Sequence, residues 1–80
     1  MSTDLHALYL GDLGYLIREA GEAVKHDVAT ANDEGDRLFQ LGRKMAYYEV
    51  LSLMQQQAVA FELPLEDCGL QGLDPERDVL

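Results

Sequence analysis

The chain has 80 residues, of which 15 are Asp or Glu and six are Lys or Arg, so its formal net charge is −9. This excess of carboxylates argues against direct binding to nucleic acid or to an anionic membrane surface, because both need clustered basic side chains. With 48% hydrophobic residues, the chain is too apolar for a disordered acidic tail, and its length predicts one domain at most.

Cys68 is the only cysteine, which excludes a disulfide within the chain and suits a reducing compartment. No apolar run reaches the roughly 18 residues that a membrane-spanning helix needs. We therefore expect a cytoplasmic protein that does not enter a membrane. A chain this short buries only about 60% of the surface that its unfolded form exposes, and small domains commonly gain stability by oligomerisation.

The first long segment, from about residue 3 to residue 31, has the apolar period of an amphipathic helix. Ser2, Thr3 or Asp4 can cap its start by accepting hydrogen bonds from free backbone N–H groups. Its apolar residues recur every three or four positions and predict one core-facing stripe: Leu13, Leu16, Ile17, Ala20, Ala23, Val24, Val28 and Ala31.

Three glycines interrupt this helix pattern, and each disfavours a helix interior by about 1 kcal/mol relative to alanine. One interpretation is a bend or break near Gly11, with Asp12 as a new cap. The other is that the missing side chains allow another helix to approach closely. We favour close packing at Gly21 and leave Gly11 open between the two interpretations.

A loop at about residues 32–35 is predicted by the turn-forming residues between the two long segments. Asp33 or Asp36 can cap the following helix. A continuous helix through this region is the alternative, since an approximate apolar stripe persists across it. The loop version predicts two antiparallel helices, each about 40 Å long at 1.5 Å per residue.

The second long segment, from about residue 36 to residue 63, is apolar over a wide arc, with a narrow polar strip that includes Lys44 and Glu49. One neighbouring helix cannot cover so broad an arc, and such helices are normally buried among several others. We expect a second copy to cover the remainder in a four-helix bundle. The predicted interface comprises Met45, Tyr47, Tyr48, Val50, Leu51, Leu53, Met54, Ala58 and Phe61.

Residues 64–80 form a tail with signals for one or two short helical turns. Leu63-Pro64 ends the second helix, because proline disfavours helical geometry in the residue before it. One turn is expected to stop at Gly69, and Asp74-Pro75 supplies a cap and a proline for another. Leucine and valine residues are spaced as anchors onto the hairpin: Leu65, Leu70, Leu73, Val79 and Leu80. The alternative is a partly mobile terminus.

Candidate chemistry is sparse. Glu19, Glu22 and His26 share a helix face that could hold a divalent metal, but the spacing lacks the Glu-x-x-His pattern of helical di-metal sites and the face is opposite the apolar stripe. A solvated polar face is the favoured interpretation. Cys68 has no histidine nearby in the sequence, and no catalytic triad or phosphate loop is present. We expect no enzyme activity, no cofactor and no metal.

Asp27 lies within the predicted apolar stripe, where a lone carboxylate would need a cation. Arg37 across the hairpin is one candidate partner, and Arg43 or Lys44 of another copy is the rival. The favoured interpretation is that Asp27 lies close enough to water to need no partner.

These features predict an all-α antiparallel hairpin with a short helical tail that dimerises through its second helix. Its function would be that of a small acidic protein-interaction module, with acidic flanks that engage a basic protein. The alternative is an acidic inhibitor or nucleic-acid mimic that blocks a basic surface of a partner protein, of the kind that bacterial phages and mobile elements use. The partner, the process and the order of the oligomer do not follow from the sequence.

Overall fold

A computed structural model describes residues 4–80, which fold into two long antiparallel helices and a tail. Helix α1 spans Leu5–Ala29 and helix α2 spans Glu34–Ala60, with a 3₁₀ turn at Leu65–Cys68 and a short helix α3 at Pro75–Asp78. No strand occurs within residues 4–80. The predicted all-α hairpin is confirmed.

Capping groups explain where the long helices begin. The Asp4 carboxylate accepts hydrogen bonds from the backbone N–H groups of His6 and Ala7 at 2.9 and 3.3 Å, which caps α1. The other candidate caps, Ser2 and Thr3, lie outside the described residues. Helix α1 continues without interruption through Gly11 and Asp12, so the predicted alternative of a break there is wrong.

Two hydrogen bonds from backbone N–H groups to carboxylates close the loop between the helices. Asp33 accepts from the backbone N–H of Asp36 at 2.7 Å, while the Asp36 carboxylate accepts from the N–H of Asn32 at 3.2 Å. Both carboxylates named as candidate caps are therefore used. Helix α1 ends at Ala29 and α2 begins at Glu34, so the alternative of one continuous helix is wrong.

Helix α2 ends three residues earlier than predicted, in a turn built on Glu62. The N–H of Glu62 bonds to the Val59 carbonyl at 3.0 Å and the N–H of Leu63 bonds to the Ala58 carbonyl at 2.8 Å. Glu62 has a φ of +56°, the left-handed position that usually holds glycine in this helix-ending motif. This turn reverses the chain direction, and the 3₁₀ turn that follows Pro64 contacts α1.

The tail folds over one side of the hairpin and supplies four of the seven buried apolar residues within residues 4–80. Leu70 and Val79 are completely buried, with Cys68 and Leu73 nearly so, and they pack with Leu51 and Ala58 of α2. Leu65 packs at the edge of this core, whereas Leu80 is largely exposed. Most of the predicted tail anchors therefore lie in or against the core.

Three side chains from the long helices also hold the tail by its backbone carbonyls. Arg18 donates to the Gln71 carbonyl at 2.7 Å, and Lys25 donates to the Arg77 carbonyl at 2.6 Å. The Gln55 amide donates to the Leu73 carbonyl at 2.7 Å. Each bond joins a side chain of α1 or α2 to a backbone carbonyl of the tail.

Glycines in α1 allow both the tail and α2 to approach this helix closely. A Cβ atom on Gly14 would overlap the Cys68 carbonyl oxygen, and one on Gly21 would lie 3.1 Å from Leu51 and 3.2 Å from Tyr47. Gly21 therefore packs against α2 as favoured, and Gly14 lies directly under the tail. Within residues 4–80 no helix is both long and apolar enough to cross a membrane.

The Gly14 contact predicts opposite outcomes for two glycine-to-alanine substitutions. Gly14→Ala should lower the free energy of unfolding by about 1–3 kcal/mol, because the tail or the helix must move to admit the methyl group. Gly42→Ala, in the exposed middle of α2 with no atom within 4 Å of its added Cβ, should raise it by about 1 kcal/mol. Urea unfolding followed by circular dichroism measures both, and a stabilising Gly14→Ala would contradict the packing.

Acid should loosen the end of the tail through Asp78. Its carboxylate accepts from the Arg77 guanidinium at 2.7 Å and from the backbone N–H of Asp74 at 2.9 Å, and these bonds hold the Asp78 pKa well below its usual value of 3.8. A depressed folded-state pKa contributes stability above pH 3.8 that is lost progressively as the pH falls below it. Asp78→Asn should therefore lower the Tm at pH 7, and its difference from the unsubstituted protein should narrow below pH 3.8. A difference that stays constant with pH would contradict this role.

Candidate interaction surface

The side of the hairpin away from the tail carries a ridge of exposed apolar residues along α2. They recur every three or four positions or at a multiple of that spacing, so helical period places them in one line. Leu53 and Phe61 are 58% and 71% exposed, respectively, and Val50 is 43% exposed. The ridge comprises Phe39, Ala46, Val50, Leu53 and Phe61.

Helix α1 extends this apolar surface. Leu16 is 53% exposed and Leu13 is 38% exposed, although the sequence placed both in the core-facing stripe. That assignment is corrected because Gly14 and Gly21, one heptad apart, mark the packed line of α1, and Leu13 and Leu16 lie about 100° and 160° around the helix from Gly14. We call the combined surface the open face: the α2 ridge together with Tyr9, Leu13, Leu16 and Ala20 of α1.

Two apolar depressions lie between the helices along the open face. One, of about 250 Å³, is lined by Ile17, Ala46, Tyr47 and Val50. The other, of about 270 Å³, lies nearer the end of α2, between Leu10 and Leu53, and reaches the buried Cys68. A surface with apolar ridges and apolar hollows can interlock with another helical surface.

The residues that define the open face are uncharged, and an ion pair between the two long helices joins Asp27 to Arg43 at 3.3 Å. Arg43 also lies 6.0 Å from the centre of the Tyr47 ring. Asp27 pairs with Arg43 of its own chain rather than of another copy, and its side chain is 42% exposed, in keeping with the favoured interpretation that it lies close to water. The other candidate, Arg37, instead bonds to Glu34 at 3.0 Å and, as an ion pair and hydrogen bond, lowers the Glu34 pKa.

The nine residues of the predicted interface do not share one surface. Val50, Leu53 and Phe61 lie on the open face, whereas Leu51 and Ala58 are buried inside the chain against the tail. Tyr47, Tyr48 and Met54 are partly buried against the same core. Met45 is 45% exposed but lies five positions, or about 140° of helix rotation, from Val50.

A separate groove of about 630 Å³ lies where α1 meets the tail, and we call it the end groove. Its floor is largely apolar, with Leu8, Leu10 and Leu63 among its residues. Its acidic residues are Asp12 on α1 and Glu66 and Asp67 on the 3₁₀ turn. The complete lining is Ala7, Leu8, Leu10, Gly11, Asp12, Tyr15, Leu63, Glu66 and Asp67.

The remaining candidate residues form ordinary surface contacts. Glu22 pairs with Arg18 at 3.0 Å, and Glu19 accepts a hydrogen bond from the Tyr15 hydroxyl at 2.9 Å. That hydrogen bond and the nearby Glu19 charge raise the Tyr15 pKa. His26 is exposed, and no group of three metal-ligating side chains is gathered anywhere in residues 4–80.

Sequence reasoning missed the α1 half of the open face and the end groove. The heptad spacing of Gly14 and Gly21 could have revealed the first, since it marks which line of α1 is packed. The end groove brings Asp12 together with Glu66 and Asp67, which are more than 50 positions away in the sequence. No local sequence pattern therefore predicts it. Comparisons with protein-family models, curated proteins and solved structures found no match to this chain.

Proposed function

We propose that this protein is a small non-enzymatic interaction module that forms a homodimer through its open face. The observation that carries the proposal is a broad apolar surface spanning both long helices that the chain's own tail leaves uncovered. Exposed apolar patches of this kind, rimmed by polar residues, are typical of protein–protein contact sites. The dimer would be a four-helix bundle, with two helices from each copy.

The size of the open face suits a stable interface. The folded chain measures 53 × 23 × 16 Å, and the open face belongs to one of its broad sides. Standard interfaces bury about 800 Å² on each partner, which is roughly two thirds of a 53 × 23 Å rectangle. A second copy laid along the hairpin could therefore reach the usual area, whereas end-to-end contact could not.

Repulsion between the acidic copies favours the open face over the rest of the surface as the site of self-association. Two copies that each carry a net charge of −9 repel one another, and the repulsion is greatest where carboxylates would meet at short range. The residues that define the open face are all uncharged, and Asp27 pairs with Arg43 within the same chain. Joining two such faces therefore buries apolar area.

Most soluble homo-oligomers have two-fold symmetry, in which the same patch meets itself. The α2 ridge suits this arrangement, because Val50 and Leu53 lie near its middle and would contact their own counterparts or near neighbours close to the symmetry axis. The inward half of α2, at Leu51 and Ala58, is already covered by the tail. The proposed interface therefore keeps Val50, Leu53 and Phe61 of the nine residues that the sequence predicted.

The alternative function, an acidic mimic of nucleic acid, has less support. A mimic needs a row of unpaired carboxylates, and four of the chain's 15 acidic residues, Glu22, Asp27, Glu34 and Asp78, each pair with an arginine of the same chain. Binding by a mimic would also weaken steeply with salt, whereas an apolar dimer would not. Binding to a basic partner that disappears with rising salt would favour the alternative.

A matched pair of substitutions on α2 tests the dimer. Val50→Asp should abolish self-association, because it places a charge in the centre of the proposed apolar interface. Met45→Asp introduces the same charge at a residue of nearly equal exposure, 45% against 43%, on a different side of the helix, and should leave the dimer intact. Sedimentation equilibrium at micromolar concentration measures both, against a chain mass of 8.9 kDa.

The unsubstituted protein and Met45→Asp should have about twice the chain mass, and Val50→Asp should have the mass of one chain. Circular dichroism should show that all three retain their helices, because both substituted positions are exposed. A monomeric unsubstituted protein at these concentrations would contradict the proposal. Equal loss of the dimer in both variants would place the interface elsewhere.

A further inference from the structure

We infer that the end groove binds a short peptide segment in which basic side chains alternate with apolar ones. The groove lies between α1 and the tail rather than on the α2 ridge, although Leu10 and Leu63 line both the groove and the neighbouring depression of the open face. It is a second surface with a different partner. The groove's shape, its apolar floor and its uncompensated charge together favour such an occupant.

The floor of the groove has apolar side chains that are exposed to water. Leu8 is 57% exposed and Leu63 is 43% exposed, although both adjoin a concave surface. A concave site of about 630 Å³ is large enough for several side chains of a bound segment. Apolar side chains of that segment would cover Leu8 and Leu63 and remove their surfaces from water.

The rim of the groove specifies the charge of the occupant. Asp12, Glu66 and Asp67 line it, and none of the three carboxylates takes part in an ion pair within residues 4–80. No lysine, arginine or histidine is among the lining residues. A cationic occupant would relieve the mutual repulsion of these carboxylates, and an anionic occupant would increase it.

Two separate elements create this arrangement, and the fold holds them together. Asp12 lies on α1, and Glu66 and Asp67 lie on the 3₁₀ turn that rests against Gly11 and Gly14. A Cβ on Gly11 would lie 3.3 Å from the Asp67 carbonyl oxygen, so the two rims are held at a short and fixed separation. The groove is therefore formed before any partner arrives, which lowers the entropic cost of binding.

Three labelled hexapeptides with blocked termini test the inference by fluorescence anisotropy. The first alternates lysine with leucine, the second replaces each leucine by serine, and the third replaces each lysine by glutamate. The protein should bind the first peptide at least tenfold more tightly than the second, because only the first fills the apolar floor. It should show no detectable binding of the third peptide. Equal binding of the first and second peptides would show that net charge alone determines the affinity, and would overturn the inference.

Two double variants locate the binding site. Asp12→Asn with Glu66→Gln should weaken binding of the lysine–leucine peptide by about tenfold. Glu49→Gln with Glu76→Gln makes the same change in net charge at exposed carboxylates outside the groove, and should change binding less than twofold. Equal weakening in both doubles, or in neither, would overturn the inference.

One further variant keeps the two proposals distinguishable. Val50→Asp, which is expected to be monomeric, should bind the lysine–leucine peptide as tightly as the unsubstituted protein. Peptide binding that is lost together with the dimer would place the peptide site at the dimer interface and overturn the end-groove assignment. A monomeric protein that still binds the peptide would contradict only the proposed dimer.

Discussion

A contact between two stretches of backbone, Gly14 in α1 and Cys68 in the tail, determines how the rest of this molecule is arranged. The contact is possible only because position 14 has no side chain, since a Cβ there would overlap the Cys68 carbonyl oxygen. Gly69 follows in the left-handed conformation and turns the chain along α1, with its backbone against Gly11 and Tyr15. From that point Leu70, Leu73 and Val79 enter the core in succession.

The two sides of α2 differ because of this arrangement. On one side the tail buries Leu51 and Ala58 and gives an 80-residue chain the third layer that a two-helix hairpin lacks. On the other side Val50 and Leu53 remain in contact with water, next to apolar residues of α1. The wide apolar arc of α2 is thus divided between intramolecular packing and the open face, which we propose a second copy covers. The same tail contact also creates the end groove, so one backbone approach forms two surfaces with different chemistry.

The sequence predicted those features that depend on local chemistry. Helical period revealed both long helices, and the caps at Asp4, Asp33 and Asp74 follow from side chains that accept hydrogen bonds from nearby N–H groups. It placed the end of α2 too late, because the Leu63-Pro64 signal lies beyond the turn that Glu62 makes in an unusual conformation for a non-glycine residue. It also assigned Leu13 and Leu16 to the core. Which part of a broad apolar arc faces inward depends on where the tail docks, and that is a tertiary property without a local pattern. The end groove was missed for the same reason, since its carboxylates come from α1 and from the tail.

The central claim is that the tail stays docked while the opposite side of the hairpin meets a second copy. Isotope-filtered nuclear Overhauser spectra of a mixture of labelled and unlabelled chains test it most directly. The account predicts intermolecular signals from the methyl groups of Val50, Leu53 and Leu16, and only intramolecular signals from Leu51 and Leu70. Intermolecular signals from Leu51 or Leu70 would show that the tail is displaced by the partner, and would contradict the account.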